Sequence, residues 1–190
     1  MLKKNSVAVV LAVAGLMIGA SASAQVYVGG SLGQAKTNAD CSDTVKCDKI
    51  SSTYKIFGGY NIDKNFAIET SYSNLGKLKA VTKEAGLTAN HEVKAKSFEV
   101  AGIAKHDFTD EFSGFAKLGV ARVTADATSS LAGSTYKGDT NSTQAVLGLG
   151  VNYKISKELA LRGEFESRRI KLFDEKARVN TFTVGAQYSF

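Results

Sequence analysis

The stretch Phe182-Thr183-Val184-Gly185-Ala186-Gln187-Tyr188-Ser189-Phe190 decides the fold. Apolar residues occupy every second position, and Thr183, Gly185, Gln187 and Ser189 stand between them. Side chains of a β-strand alternate between two faces, so this segment has one greasy side and one polar side. The greasy side carries rings near both ends and runs out to a terminal Phe. A strand in water has no physical need to finish that way.

The same period-two pattern recurs upstream through the chain. Working back from the last strand, Val179 to Phe190, strands are expected at Leu159 to Arg168, Gln144 to Ile155 and Phe112 to Val123. Four more are expected at Lys96 to His106, Phe66 to Asn74, Thr53 to Ile62 and Val26 to Ala35. That makes eight, an even number as in bacterial outer-membrane barrels. Their connections alternate in length. Asp63-Lys64-Asn65, Asp107 to Glu111 and Ser156 to Glu158 read as tight turns. Lys36 to Ser52, Leu75 to Ala95, Thr124 to Thr143 and Arg169 to Arg178 read as long polar loops, with a short helix expected at Lys77 to Ala85. Short turns on one side and long loops on the other suit a barrel that crosses a membrane.

Residues 1–24 read as a secretory leader. Lys3 and Lys4 precede the apolar run Val7 to Ala20, and Ala22-Ser23-Ala24 supplies a small-residue cleavage site before Gln25. The run is too short for a comfortable membrane helix, which needs about 20 residues. No Cys follows it closely, which argues against a lipid anchor. Residues 25–190 are expected to form one domain. The formal charge of +6 falls by the two leader lysines on cleavage. The remaining excess is scattered, and neither a basic stripe with stacking aromatics nor a known module points to nucleic acid. Cys41 and Cys47 would meet an oxidising compartment, where they suit a local disulfide. A metal site is not supported there, because no His lies near.

Beyond the leader there is no other long apolar segment. A membrane protein without such helices must use a closed barrel, because lipid cannot satisfy a sheet edge. A soluble ligand-carrying barrel alternates in the same way, so the orientation of the two faces must be argued. The polar face holds charges of both signs among glycines: Lys55, Glu69, Glu99, Lys105, Lys117, Arg162, Glu164 and Glu166. These could neutralise one another inside a narrow lumen. On the apolar face, Tyr60, Phe66, Phe112, Tyr153, Tyr188 and Phe190 lie beside the short turns, while Tyr54, Tyr72, Phe98, Phe165 and Phe182 lie near the long loops. Two belts of rings with small aliphatics between them match two lipid–water interfaces. The expected fold is therefore all-β: an eight-stranded antiparallel up-and-down transmembrane barrel.

The residues resemble the OmpA-like and OmpX-like eight-stranded outer-membrane barrels. Phe57-Gly58-Gly59-Tyr60-Asn61-Ile62 and its following turn look like that family's second strand and hairpin, and Glu69, Tyr72, Leu75 and Gly76 continue the likeness. Gly150-Val151-Asn152-Tyr153-Lys154-Ile155 and Glu158-Leu159-Ala160-Leu161-Arg162-Gly163-Glu164-Phe165 look like its sixth and seventh strands. The resemblance implies that Phe190 is the signal read by the barrel-assembly machinery. It also implies that Glu69 and Arg162 hold the lumen positions of an internal salt-bridge switch. Ile103 and Asn152 depart from it, standing where a lysine and an acid are expected, which puts a gated pore in doubt. Proline and Trp are absent, and no peptidoglycan-binding domain follows the barrel segment, so an anchor to the cell wall is not expected.

Three function classes follow. Eight strands leave room only for side chains, which favours a rigid, self-neutralised interior over a narrow ion path. Lipid-modifying chemistry would need a base near the outer rim. Only His91 is suitably placed, since His106 belongs beside a turn, and no Gly-x-Ser-x-Gly motif is present. Neither an enzyme nor a cofactor is expected. The loops carry basic residues, Lys77, Lys79, Lys83, Lys94 and Lys96 in the second and Arg168, Arg169, Lys171, Lys176 and Arg178 around the fourth. They suit phosphate-bearing lipid headgroups, including lipopolysaccharide, or an extracellular ligand. The reading is a monomeric envelope protein with a structural or surface-interaction role.

Overall fold

The computed structural model describes residues 25–38, 46–84, 87–131, 134–172 and 175–190. The expected leader and Cys41 lie outside these residues, as does Ala85. Among these described residues nine strands run in chain order: β1 Val26–Asn38, β2 Lys46–Asp48, β3 Ile50–Asn61, β4 Phe66–Glu84, β5 Leu87–Asp107, β6 Phe112–Leu131, β7 Ser134–Lys154, β8 Leu159–Leu172 and β9 Glu175–Ser189. The eight long ones form a closed antiparallel ring, because β1 pairs with both β3 and β9 and the β4–β5 ladder completes the circle. The short β2 is a ninth strand outside the ring. It lies against β4, with Lys46 opposite Val81 and Asp48 opposite Lys79.

The faces are inverted relative to a protein in water. Leu32, Leu118 and Leu149 are 71%, 65% and 64% exposed, whereas Lys55, Glu69 and Arg168 are each 1% exposed. Burying ionised groups while exposing leucines would be untenable in water, and is what a lipid exterior selects. The barrel spans the bilayer with its apolar side outward.

Each tight turn is held by one side chain. The Asp63 carboxylate accepts from the backbone N–H groups of Asn65 and Phe66 at 2.7 and 2.8 Å. Thr109 Oγ1 accepts from Glu111 and Phe112, and Ser156 Oγ accepts from Glu158 and Leu159. Asp, Thr and Ser fold back onto the backbone in this way, which closes a hairpin without proline.

The strands continue well past their expected ends. Leu75 to Ala95 and Thr124 to Thr143 are β-ladders over their described lengths rather than loops. One runs from Lys77 opposite Lys94 to Glu84 opposite Leu87, and the other reaches Leu131 opposite Ser134. The helix expected from Lys77 is strand through Glu84. Arg169 to Leu172 likewise pairs with Glu175 to Arg178. Leu75, Ala95 and Ala125 at their bases still face the lumen, but further along the alternation of burial fades, and Ala127 to Ser130 are all half-buried. Pairing already begun in the barrel carries them upward. A bulge between Asn74 and Lys77 marks the change of register in β4. Gly76 sits there with φ of 81°, and a Cβ would lie 2.5 Å from the Ser52 carbonyl oxygen. Only glycine fits that position comfortably.

Candidate functional site in the barrel lumen

Inward-facing positions of five strands bring the charged side chains together. Lys117 of β6 is the hub. Its Nζ lies 3.0 Å from Glu69, 2.7 Å from Glu99, 3.2 Å from Glu164 and 2.8 Å from Glu166. Lys55 of β3 reaches Glu164 at 2.6 Å and Glu166 at 2.8 Å. Arg162 donates from Nη1 and Nη2 to the two oxygens of Glu69, at 2.6 and 3.2 Å, and lies 3.3 Å from Glu164. Arg168 bonds Glu166 and lies 3.6 Å from Glu99. Tyr27 of β1 donates to Glu69 Oε2 at 3.0 Å, and Thr181 of β9 donates to Glu166 at 3.4 Å. Four carboxylates thus meet four cations, and all eight side chains are no more than 2% exposed.

Apolar packing encloses this layer from both ends. Towards the tight turns lie Tyr27, Phe57, Ala67, Ile103 and Phe115. The Arg162 guanidinium sits between the Phe57 and Phe115 rings, 4.4 and 4.3 Å from their centroids. This arrangement adds cation–π attraction to its ion pairs. The walls beside these rings are glycine. A Cβ on Gly59 would be 2.2 Å from the Tyr27 ring, and one on Gly150 would be 2.2 Å from the Phe115 ring. Towards the hairpins the lumen is filled by Ala35, Leu75, Ala95, Ala121, Val123, Val146 and Val179.

Seven of the eight lumen charges expected from sequence meet in this network. Lys105 does not: it stands at the turn-side mouth, half-buried, and donates to Asn61 Oδ1. Arg168 is the member that the expected network omits. Its position in the sequence sets it among the basic residues around the fourth loop, although it shares the alternation of Arg162, Glu164 and Glu166. Tyr27, Phe57 and Phe115 were legible as inward-facing but not as partners of the charges. Ile103 and Asn152, where a lysine and an acid were sought, are both buried on the lumen side. Their neighbours Lys117 and Glu164 supply the charge instead.

Outside, Tyr60, Phe66, Phe112, Tyr153, Tyr188 and Phe190 encircle the turn end, all exposed. Tyr54, Phe98, Phe165 and Phe182 lie exposed towards the hairpins, with Tyr72 half-buried beside them. Phe108, within a tight turn, stacks on Phe112 at 5.8 Å and adds a ring to the turn-side belt that the alternation alone did not place. Cys47 belongs to β2, but the pairing expected with Cys41 falls outside the described residues. His91 lies on the upper part of β5, its backbone opposite Ala80 and Ser129.

Comparison with known proteins agrees with this architecture. The chain is 31% identical over 154 residues to an uncharacterised protein of Haemophilus influenzae, covering 79% of this chain and 82% of that one. It is 26% identical to outer membrane protein A of Shigella dysenteriae over 87% of its own length, and spans about half (48%) of that relative. The crystal structure of Neisserial surface protein A superposes with a TM-score of 0.65 at 16% identity, covering 88% of this chain and 98% of the other. Residues 21–190 match the OmpA-like transmembrane domain family. The chain belongs to that family and is a β-barrel of the bacterial outer membrane.

Proposed function

We propose that the protein is a sealed, non-enzymatic barrel that anchors rigid β-hairpins at the cell surface, with a structural or surface-interaction role. The observation that carries this reading is the filled lumen. A balanced layer of buried ion pairs lies between an aromatic packing layer and an aliphatic one. Ions cross a constriction only if wetting is tolerable, and an apolar layer opposes it. The hairpins support the second half of the proposal. Paired ladders hold their side chains at fixed spacings, so a partner meets a pre-ordered surface and the ordering cost on binding falls. Lipid and lipopolysaccharide around the wall, the barrel-assembly machinery during insertion and a monomeric state complete the proposal.

Planar-bilayer recording tests the seal. Both the wild type and Glu69→Gln are expected to give no reproducible unitary conductance. Discrete openings whose size changes in Glu69→Gln would replace this reading with a gated pore. A cell-adhesion assay with shortened β4–β5 and β6–β7 hairpins tests the surface role, and unchanged adhesion would leave only the structural one.

A further inference from the structure

Arg169 of β8 and Arg178 of β9 are direct cross-strand partners on the outer wall. Both are exposed, and they share the outward alternation of Phe165 and Phe182, which are also direct partners. Ser167 and Asn180 form the step between the two pairs. On the next strand Lys36, also exposed and outward, stands opposite Asn180. Three cations therefore border one small polar patch on three adjacent strands.

Like charges directly opposite in a sheet repel. Among the described residues, neither arginine has an ion-pair partner. Lys94 of β5, by contrast, stands opposite Asp126 and lies 3.1 Å from Glu92. Strand geometry puts the arginine pair about 10 Å above the Phe165–Phe182 rings, at headgroup height. Directly below lie Leu32, Phe165, Phe182 and Val184, an apolar surface suited to acyl chains.

We propose that Lys36, Arg169 and Arg178 form a binding site for a phosphorylated, acylated glycolipid of the outer leaflet. Its phosphate bridges the two guanidinium groups, for which paired N–H donors are well matched. Asn180 and Ser167 offer neutral hydrogen-bonding groups beside it, and the acyl chains lie on the rings beneath. The site rests on the lipid-facing orientation of this wall, and not on the seal or on the hairpins having a partner.

The test uses folded full-length barrel domain in phosphatidylcholine nanodiscs, with binding of diphosphorylated lipid A compared with that of its dephosphorylated form. The wild type is expected to favour the phosphorylated lipid about tenfold or more, a difference that R169Q/R178Q abolishes and R178Q lowers about fivefold. The charge-matched K96Q/R122Q, on the opposite wall, is expected to keep it within about twofold. Heat-shifted gel mobility verifies folding of each variant. If R169Q/R178Q does not fold, R178Q against K96Q/R122Q decides the matter. Equal losses in both doubles, no preference for phosphorylated lipid, or complete displacement by millimolar inorganic phosphate would each overturn the site.

Discussion

Glu69 and Arg162 face each other across the lumen through two parallel hydrogen bonds, the carboxylate of β4 meeting the guanidinium of β8. Tyr27 adds a third bond to the same carboxylate, and two rings cover the guanidinium. Both groups are anchored from more than one side, so the pair is built to stay closed. Glu69→Gln leaves a buried cation with reduced compensation and is expected to cost about 3–5 kcal/mol. Urea unfolding from lipid vesicles, followed by gel mobility, measures this.

Lys117→Met removes the hub and leaves four carboxylates with too little positive charge among them. Its stability deficit at neutral pH should exceed that of Glu69→Gln. Acidification neutralises surplus carboxylates in the variant, so its deficit relative to wild type should narrow as pH falls. A deficit that widened towards low pH would contradict the geometry around Lys117.

The outer wall gives an independent check. Leu149→Arg places a charge against hydrocarbon and should cost about 2–4 kcal/mol near the bilayer midplane. A spin label at Leu149 should collide with oxygen and be shielded from a water-soluble nickel chelate, with the opposite result at Asp139.

Two glycines separate packing from strand propensity. Gly150→Ala drives a methyl group into the Phe115 ring, with an expected loss of about 1–3 kcal/mol. Gly138→Ala meets nothing within 4 Å and should be neutral or slightly stabilising. Thermal unfolding in one detergent compares the two directly.

The turn devices should be separable too. Ser156→Ala removes the hydroxyl that accepts from two backbone N–H groups, and is expected to cost about 1 kcal/mol with no change in the folded gel form.

Within the membrane the barrel was legible because lipid and lumen impose opposite chemistries on alternate residues. Val184 beside Gly185, or Leu161 beside Arg162, states its own face. Above the membrane that contrast disappears. Thr124 to Thr143 is a mostly polar run, so it reads as loop although its backbone is paired. Partnerships inside the lumen were harder still. Alternation places Arg168 inward but does not say that it meets Glu99 from β5, since that depends on how adjacent strands are staggered around the ring. Tyr27 was obscured for a similar reason, because its Glu69 partner lies two barrel strands away.

The pairing of β1 with β9 carries a consequence for assembly. Val26 accepts from the Phe190 backbone N–H at 3.0 Å, so the first and last barrel strands form a single seam. Until the final strand arrives, β1 has one unsatisfied edge, and an unpaired edge cannot rest in hydrocarbon. The cylinder should therefore zip shut late and all at once, leaving little opportunity for a stable half-ring. Covalently joining residues 25 and 190 while opening the chain between β6 and β7 should move that last event to a different pair of strands and yield the same cylinder.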